Sequence, residues 1–394
     1  MRARPHVAKY RVAKYRVAKY RVEGTPGMVG RQAVLLLVVA AASIACAAPI
    51  APPAAVPSPA APAILPTAAA TAPAALAPLI PPVAVRMGVV ASVSDSGIFI
   101  AQEKGYFQEQ GLEIESIPFD SAAGMTAPLS TDQLDVGAGS PSAGLYNALV
   151  RDLDLKIVAD KGSNRPGFGY VALIARPDLV ASGQLQDYPD LRGRTIALNS
   201  RATGAEIQLD RALARGNLTT DDIELAVMPF PDMGLALANR SIDLAVSLEP
   251  LITAGAEQGL FIRWKGVDEF YPNDQSGVVL YAPRFAREHA EAARRWMIAY
   301  LKGVRDYNDA FTKQRGQEEV VGIINRSTTV KDPTLVRKMV PAGINPDGRV
   351  SIEDLLFKQQ WYLSHGAMAQ PADVGRAVDH QFVDYAVERL GPYH

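Results

Sequence analysis

Ile98–Leu112, reading Ile-Phe-Ile-Ala-Gln-Glu-Lys-Gly-Tyr-Phe-Gln-Glu-Gln-Gly-Leu, decides the fold of this chain through what stands on either side of it. Before it, Val85–Val90 is a short apolar run that predicts a strand, followed by the small and polar loop Ala91–Ser96. After it, Leu112–Phe119 returns to strand character, with Leu112 and Ile114 alternating against Glu113 and Glu115. Between the two, Gly97–Lys104 has room for about two helical turns, and Gly105 suits the left-handed residue that ends a helix. Strand, polar loop, short helix and strand make a βαβ unit, the building block of a parallel sheet. Ligands of such sheets sit at the carboxyl ends of the strands, which here means the loop carrying Ser92, Ser94, Asp95 and Ser96.

Within this stretch, Ala101-x-x-Lys104-Gly105-Tyr106-Phe107-x-x-x-Gly111-Leu112 resembles the opening signature of periplasmic solute-binding proteins of the sulfonate, nitrate, taurine and thiamine-pyrimidine type. Supporting matches lie at Asp190–Leu198 and Ala236–Pro250, and the resemblance covers about residues 85–325. It implies an α/β chain of the two-lobe periplasmic-binding-protein type II fold, two α/β lobes joined by hinge strands, with a helical C-terminal extension. On this reading residues 85–175 are the first part of lobe 1, residues 176–273 are lobe 2, and residues 274–394 return to lobe 1 and supply the C-terminal helices. Tyr106 and Phe107 are expected to plug the core beneath the sheet, so the signature identifies the fold and does not mark the site.

Charge separates the leader from the body. The net charge of −1 averages nine Lys/Arg and one Glu in residues 1–45 with a body, residues 46–394, of formal charge −9. Nothing in that balance points to nucleic acid. Residues 7–21 repeat Val-Ala-Lys-Tyr-Arg three times, so residues 1–27 read as a translated upstream repeat or a basic leader, with the start at Met28. Residues 28–45 then read as a secretory signal, Arg31 charged and Ala33–Ile44 uncharged and apolar. Cys46, the only cysteine, resembles the lipid-attachment site of bacterial lipoproteins, although Ser43 stands where those usually carry an aliphatic residue. A lipid anchor there would hold the protein to a membrane surface, outside the cytoplasm. The tether, residues 46–84, includes 11 prolines among residues 47–85 and no charge over that span, a composition suited to an extended spacer.

Along the body, strand-like runs alternate with helical ones. Leu155–Ala159 and Tyr170–Ala175 predict strands flanking a polar loop, Lys161–Gly169, that holds Arg165. Thr195–Leu198, Glu224–Met228, Phe261–Trp264 and Val278–Ala282 predict further strands. The sequence also echoes itself: Leu134-Asp135-Val136 leads to Ser140-Pro141 as Ile242-Asp243-Leu244 leads to Glu249-Pro250. Beyond Pro283 the pattern is wholly helical, with a last helix expected over Val374–Arg389. Gly137, Gly139 and Gly144 have the wrong spacing for a dinucleotide fingerprint, and Pro141 sits where the phosphate turn belongs.

The chemistry expected is recognition. The five histidines, His6, His289, His365, His380 and His394, fall in the leader or the C-terminal part with no metal-ligand spacing, and neither a nucleophile elbow nor a P-loop is present. Nearly every strand end opens onto Ser, Thr, Asn or Gly at a helix start, where hydroxyls and free N–H groups favour an anion. Projecting strand ends onto the cleft of the resembled family gives Asp95, Ser96, Ser121, Ala122, Ser140 and Ser142 from lobe 1. Arg165 lies in the connecting loop, and lobe 2 supplies Arg201, Ala202, Thr203 and Glu249. Arg201 suits a sulfonate or carboxylate, whereas Asp95 and Glu249 suit an amine or an aminopyrimidine. The resemblance implies a monomeric receptor without cofactor or metal, whose partners are a small solute, an ABC permease and its ATPase. An intracellular pyrimidine-precursor synthase of the same fold is the rival reading, and a ligand sensor is a third. The synthase uses a cysteine-rich motif that this chain lacks.

Overall fold

A computed structural model describes residues 76–394. The expected leader, signal segment, Cys46 anchor and most of the tether lie outside these described residues. The end of the expected tether is built into the fold: Leu79 donates its N–H to Gln110 O at 3.3 Å, and Arg295 reaches Ala77 O at 2.5 Å.

Ten strands form two five-stranded sheets. They are β1 (Val83–Val89), β2 (Leu112–Pro118), β3 (Val136–Gly139), β4 (Lys156–Asn164), β5 (Val171–Ala175), β6 (Thr195–Leu198), β7 (Glu224–Val227), β8 (Leu244–Leu248), β9 (Ile262–Gly266) and β10 (Asp274–Tyr281). The first sheet runs β2-β1-β3-β10-β4 and the second β7-β6-β8-β5-β9. In each, three strands are parallel and the fourth position is antiparallel to both neighbours. The antiparallel strand of the first sheet, β10, comes after the second lobe. That of the second sheet, β5, is the first strand of its sheet in chain order. Each sheet is therefore mixed, where the βαβ pattern alone predicts parallel pairing.

Two boundaries differ from the sequence reading. Lys161–Asn164 belongs to β4 instead of a loop, because its backbone pairs with β10 despite its polar side chains. Val171–Ala175 pairs with β8 and β9, so the second sheet begins at residue 171 and not after 175. Val171–Ala175 is apolar and buried, and period alone does not say which sheet an apolar strand joins. The segments crossing between sheets are residues 165–170 and 267–273.

The echoed motifs occupy equivalent places. Asp135 N donates to Arg86 O (2.9 Å) while its carboxylate accepts from Arg86 N (2.8 Å). Asp243 repeats this in the second sheet, with Thr195 O at 2.8 Å and Thr195 N at 3.1 Å. Each aspartate thus ties the strand it precedes to its parallel neighbour.

The signature stretch folds as helices Ser96–Glu103 and Tyr106–Glu109 joined through Gly105, whose φ of +75° is open to glycine at little cost. Phe107 is buried with its ring centroid 5.6 Å from that of Trp296. Tyr106 differs from the expected core plug. It is half-buried, and its hydroxyl donates to Asp306 at 2.7 Å, a bond that keeps the phenol at the rim.

Helix Ala290–Thr312 crosses Ser96–Glu103 so closely that a Cβ at Gly303 would lie 2.1 Å from Gly97 O. Helix Ile352–Ser364 lies behind the crossing segments. The expected last helix is two, Val374–Ala377 and Gln381–Leu390, because Val378 leaves the helix to bridge Ile157 and Asp379 N donates to Ile157 O.

Candidate functional site

A cavity of about 70 Å³ lies where the carboxyl ends of strands from both sheets face one another. The first lobe contributes Ser92, Ser94, Ser121, Ala122, Ser140 and Lys161, and the second contributes Asn199, Thr203, Phe230 and Leu248. Tyr170, at the end of the first crossing segment, and Ser276, in β10, complete the lining. Their hydroxyls are bonded to each other at 3.0 Å, and Ser276 donates onward to Gly162 O at 3.1 Å. Burial, the largest influence, pushes the Tyr170 phenol far up, so it stays neutral.

Local turns aim the hydroxyls. After β1, Ser92 N donates to Asp95 Oδ2 (2.9 Å), and the Ser92 and Ser94 hydroxyls sit 2.8 Å apart. Asp95 is fully buried, and its Oδ1 lies 2.9 Å from Lys161 Nζ, itself nearly enclosed. Lys161 is thus the cation of the cavity wall, and Asp95 supports it from behind.

The lobes also touch directly. Val93 N donates to Glu249 O at 3.2 Å, and Ala143 N donates to Ala202 O at 3.0 Å. Backbone bonds therefore join the two lobes directly.

Of the residues expected from the sequence, Ser121, Ala122, Ser140 and Thr203 line the cavity together, and Asp95 stands one layer behind. The others do not line it. Ser96 donates its hydroxyl to Val93 O at 2.5 Å inside its own turn. Ser142 caps helix Ala143–Val150 by accepting from Leu145 N. Arg201 is exposed and paired with Glu206 Oε1 at 2.7 Å. Ala202 gives its N–H to Glu206 Oε2 and its carbonyl to the first lobe. Arg165 lies on Phe168, 4.8 Å from guanidinium carbon to ring centroid, and faces a different cavity.

Glu249 is buried, its carboxylate accepting from Thr253 N and Oγ1 (both 3.0 Å) and from Val340 N (3.3 Å). Burial raises its carboxyl pKa, and those bonds oppose the rise. It ties the second lobe to the C-terminal segment.

Sequence reasoning missed Ser92 and Ser94 as lining residues, along with Lys161, Tyr170, Asn199 and Ser276. Ser92, Ser94 and Asn199 lie in loops already singled out as strand ends. Lys161 and Ser276 lie inside strands β4 and β10, where no strand-end rule finds them.

Behind the cavity the crossing segments are fixed by a buried ionic cluster. Lys358 Nζ contacts Asp274 Oδ1 and lies 3.2 Å from Asp354 Oδ2, while Asp274 Oδ2 accepts from Asn164 (2.8 Å) and Gln208 (2.6 Å). Burial alone would lower the Lys358 pKa. The carboxylates of Asp274 and Asp354 outweigh it and hold the ammonium charged.

Comparison with known proteins adds to this geometry. The family model described as NMT1/THI5 like matches residues 93–310, more than half of the chain. A Brucella abortus (strain 2308) relative, named only as a candidate binding protein, is 28% identical over 236 residues, 59% of this chain and 69% of its own. A more distant relative from Aspergillus parasiticus, named 4-amino-5-hydroxymethyl-2-methylpyrimidine phosphate synthase, is 26% identical over 39% of this chain and 41% of its own. The fold is that of the nitrate-binding protein NrtA from Synechocystis PCC 6803 (TM-score 0.65, 12% identity, 80% of this chain and 90% of that one). It is shared with the alkanesulfonate-binding protein SsuA from Xanthomonas axonopodis pv. citri (TM-score 0.62, 16% identity, 77% of this chain and all of that one).

Proposed function

The chain belongs to the NMT1/THI5-like family, and from that membership we propose that it is the solute-binding component of an ABC importer. It captures a small solute between its lobes outside the cytoplasm and presents the closed form to a permease and its ATPase. The observation that carries this reading is the cavity itself, lined by hydroxyls from both lobes, with backbone bonds joining the lobes directly. A ligand that touches both lobes favours the closed arrangement by its differential affinity for it.

The lining favours an oxyanion. Seven hydroxyls, from Ser92, Ser94, Ser121, Ser140, Thr203, Tyr170 and Ser276, line it with one ammonium; those of Tyr170, Ser276 and Thr203 already donate within the protein, which leaves the serines of the first lobe to face a solute. Arg201 and Glu249, which would have supported a guanidinium fork or an amine site, are engaged elsewhere. Nitrate, or the head of a small sulfonate or carboxylate, fits hydroxyl and ammonium donors. An aminopyrimidine is the alternative, and it would take its amine to Asp95 in competition with Lys161.

A synthase-like activity is the second reading, favoured by the synthase-named relative. The single cysteine, Cys46, is far outside this cavity in sequence, and none of His289, His365, His380 and His394 lines it. The lining therefore supports binding better than turnover. Attachment to the membrane through Cys46 completes the proposal and rests on the leader sequence.

A thermal-shift screen against nitrate, sulfonates, small carboxylates and aminopyrimidines tests the reading. A true ligand at 100 times its Kd stabilises by about 2.7 kcal/mol. A shift confined to the oxyanions supports the proposal, a shift with aminopyrimidines moves the solute class, and chemical conversion of a bound compound would replace it with the enzyme.

A further inference from the structure

A second cavity, of about 260 Å³, opens on the other side of β4, lined by Asp160, Ser163, Arg165, Asn273, Gln275 and the segment Asn345–Ser351 with its Arg349. It is built where the two crossing segments meet the C-terminal extension: Arg165 belongs to the first crossing, Asn273 to the second, and Gly343 exchanges backbone bonds with Ser163.

Charges in this cavity are unevenly matched. Asp160 is buried and its oxygens are already engaged, Oδ1 by Gly162 N (2.8 Å) and Gln275 Nε2 (2.6 Å), Oδ2 by Asn345 N (2.5 Å). Arg349 contacts Asp384 at the rim. Arg165 has no carboxylate within ion-pair distance among the described residues, and its Nε is enclosed without a hydrogen-bond partner. A Cβ on Gly343 would lie 2.7 Å from that Nε, so the guanidinium is held against the C-terminal segment.

A guanidinium with an unsatisfied enclosed N–H, beside the side-chain amides of Asn273 and Asn345 and the hydroxyl of Ser351, is a donor set for an anion. We propose that this hinge-side cavity is a second ligand site, taking a small oxyanion, free or as the head of a small organic acid, on Arg165. Its occupant bridges both crossings and the C-terminal segment, so binding there is linked to the angle between the lobes. Only that linkage rests on the receptor reading above; the site itself does not.

The test is calorimetric titration of the full chain with inorganic phosphate and with succinate, together with amide chemical-shift mapping. Saturable binding is expected, with shifts at Gly343, Asn345 and Ser351, weakened about tenfold or more in Arg165→Gln and less in Arg165→Lys. The probe that binds more tightly says whether the free ion or the organic acid is the better occupant. Absence of saturable binding with either probe overturns the proposal. So does unchanged affinity in Arg165→Gln, or a set of shifts confined to cleft amides such as Ser94, Ala122 and Thr203. Thermal melts of both variants close to the parent exclude misfolding as the cause of any loss.

Discussion

Lys161 Nζ stands 2.9 Å from Asp95 Oδ1, and the two side chains are 3% and 0% exposed. They come from different parts of the first lobe, Asp95 from the turn after β1 and Lys161 from β4. Lys161→Met leaves Asp95 buried without its cation, which costs about 3–5 kcal/mol where no other group replaces the partner. Denaturant melts should show that loss, and a second change, Asp95→Asn, should restore much of it. Solute affinity should stay lost in the double variant, because the ammonium is missing from the wall. A Lys161→Met protein as stable as the parent would show that the pair is not holding the loop.

Glu249 carries a different expectation from the one its place in the sequence suggests. Glu249→Ala removes the acceptor for Thr253 and Val340 and should destabilise by about 2–3 kcal/mol through unsatisfied buried donors. Its side chain does not line the cavity, so the affinity of the folded protein for its solute should change by less than about threefold. Isothermal titration well below the variant's melting temperature separates the two effects. A large affinity loss with unchanged stability would return Glu249 to the binding surface.

Asp160 gives a pH dependence of fixed sign. Burial, the largest influence, raises its carboxyl to about 6 against the bonds from Asn345, Gln275 and Gly162. Between about pH 4 and 6 the folded protein holds a proton there that the unfolded chain has released, so raising the pH through that window lowers stability. The loss is on the order of 3 kcal/mol, and it is complete and flat above the window. Subtracting the stability profile of Asp160→Asn from that of the parent isolates this component. A component that rises with pH contradicts the assignment.

Cys46→Ser should release the protein from membranes when the full chain is expressed in a bacterium that lipidates exported proteins. Fractionation and mass of the processed N-terminus read the result. Continued membrane retention with a processed N-terminus removes Cys46 as the anchor.

Much of the fold was legible because it is written in local pattern. Leu112 and Ile114 alternate with glutamates on a strand paired on one side only, and Gly105 marks the helix end that its φ requires. The repeat of Leu134-Asp135-Val136 in Ile242-Asp243-Leu244 reflects two aspartates doing the same job in two sheets. The lining of the candidate site was legible in part for the same reason: Ser121, Ala122, Ser140 and Thr203 sit at strand ends, and strand ends can be found from periodicity.

What the sequence by itself determined was the alternation of strands and helices, the two-lobe plan that its signature implies, and the loops available for binding. Tertiary structure alone decided which sheet took Val171–Ala175, because an apolar strand is satisfied by any partner that completes its hydrogen bonds and covers both faces. It also decided that Arg201 turns to Glu206 while Lys161, inside a strand, becomes the cation of the cleft. A charged side chain near a cavity goes to whichever opposite charge the packed chain places nearest, and here those partners are close in space but, for Lys161 and Asp95, 66 residues apart in sequence.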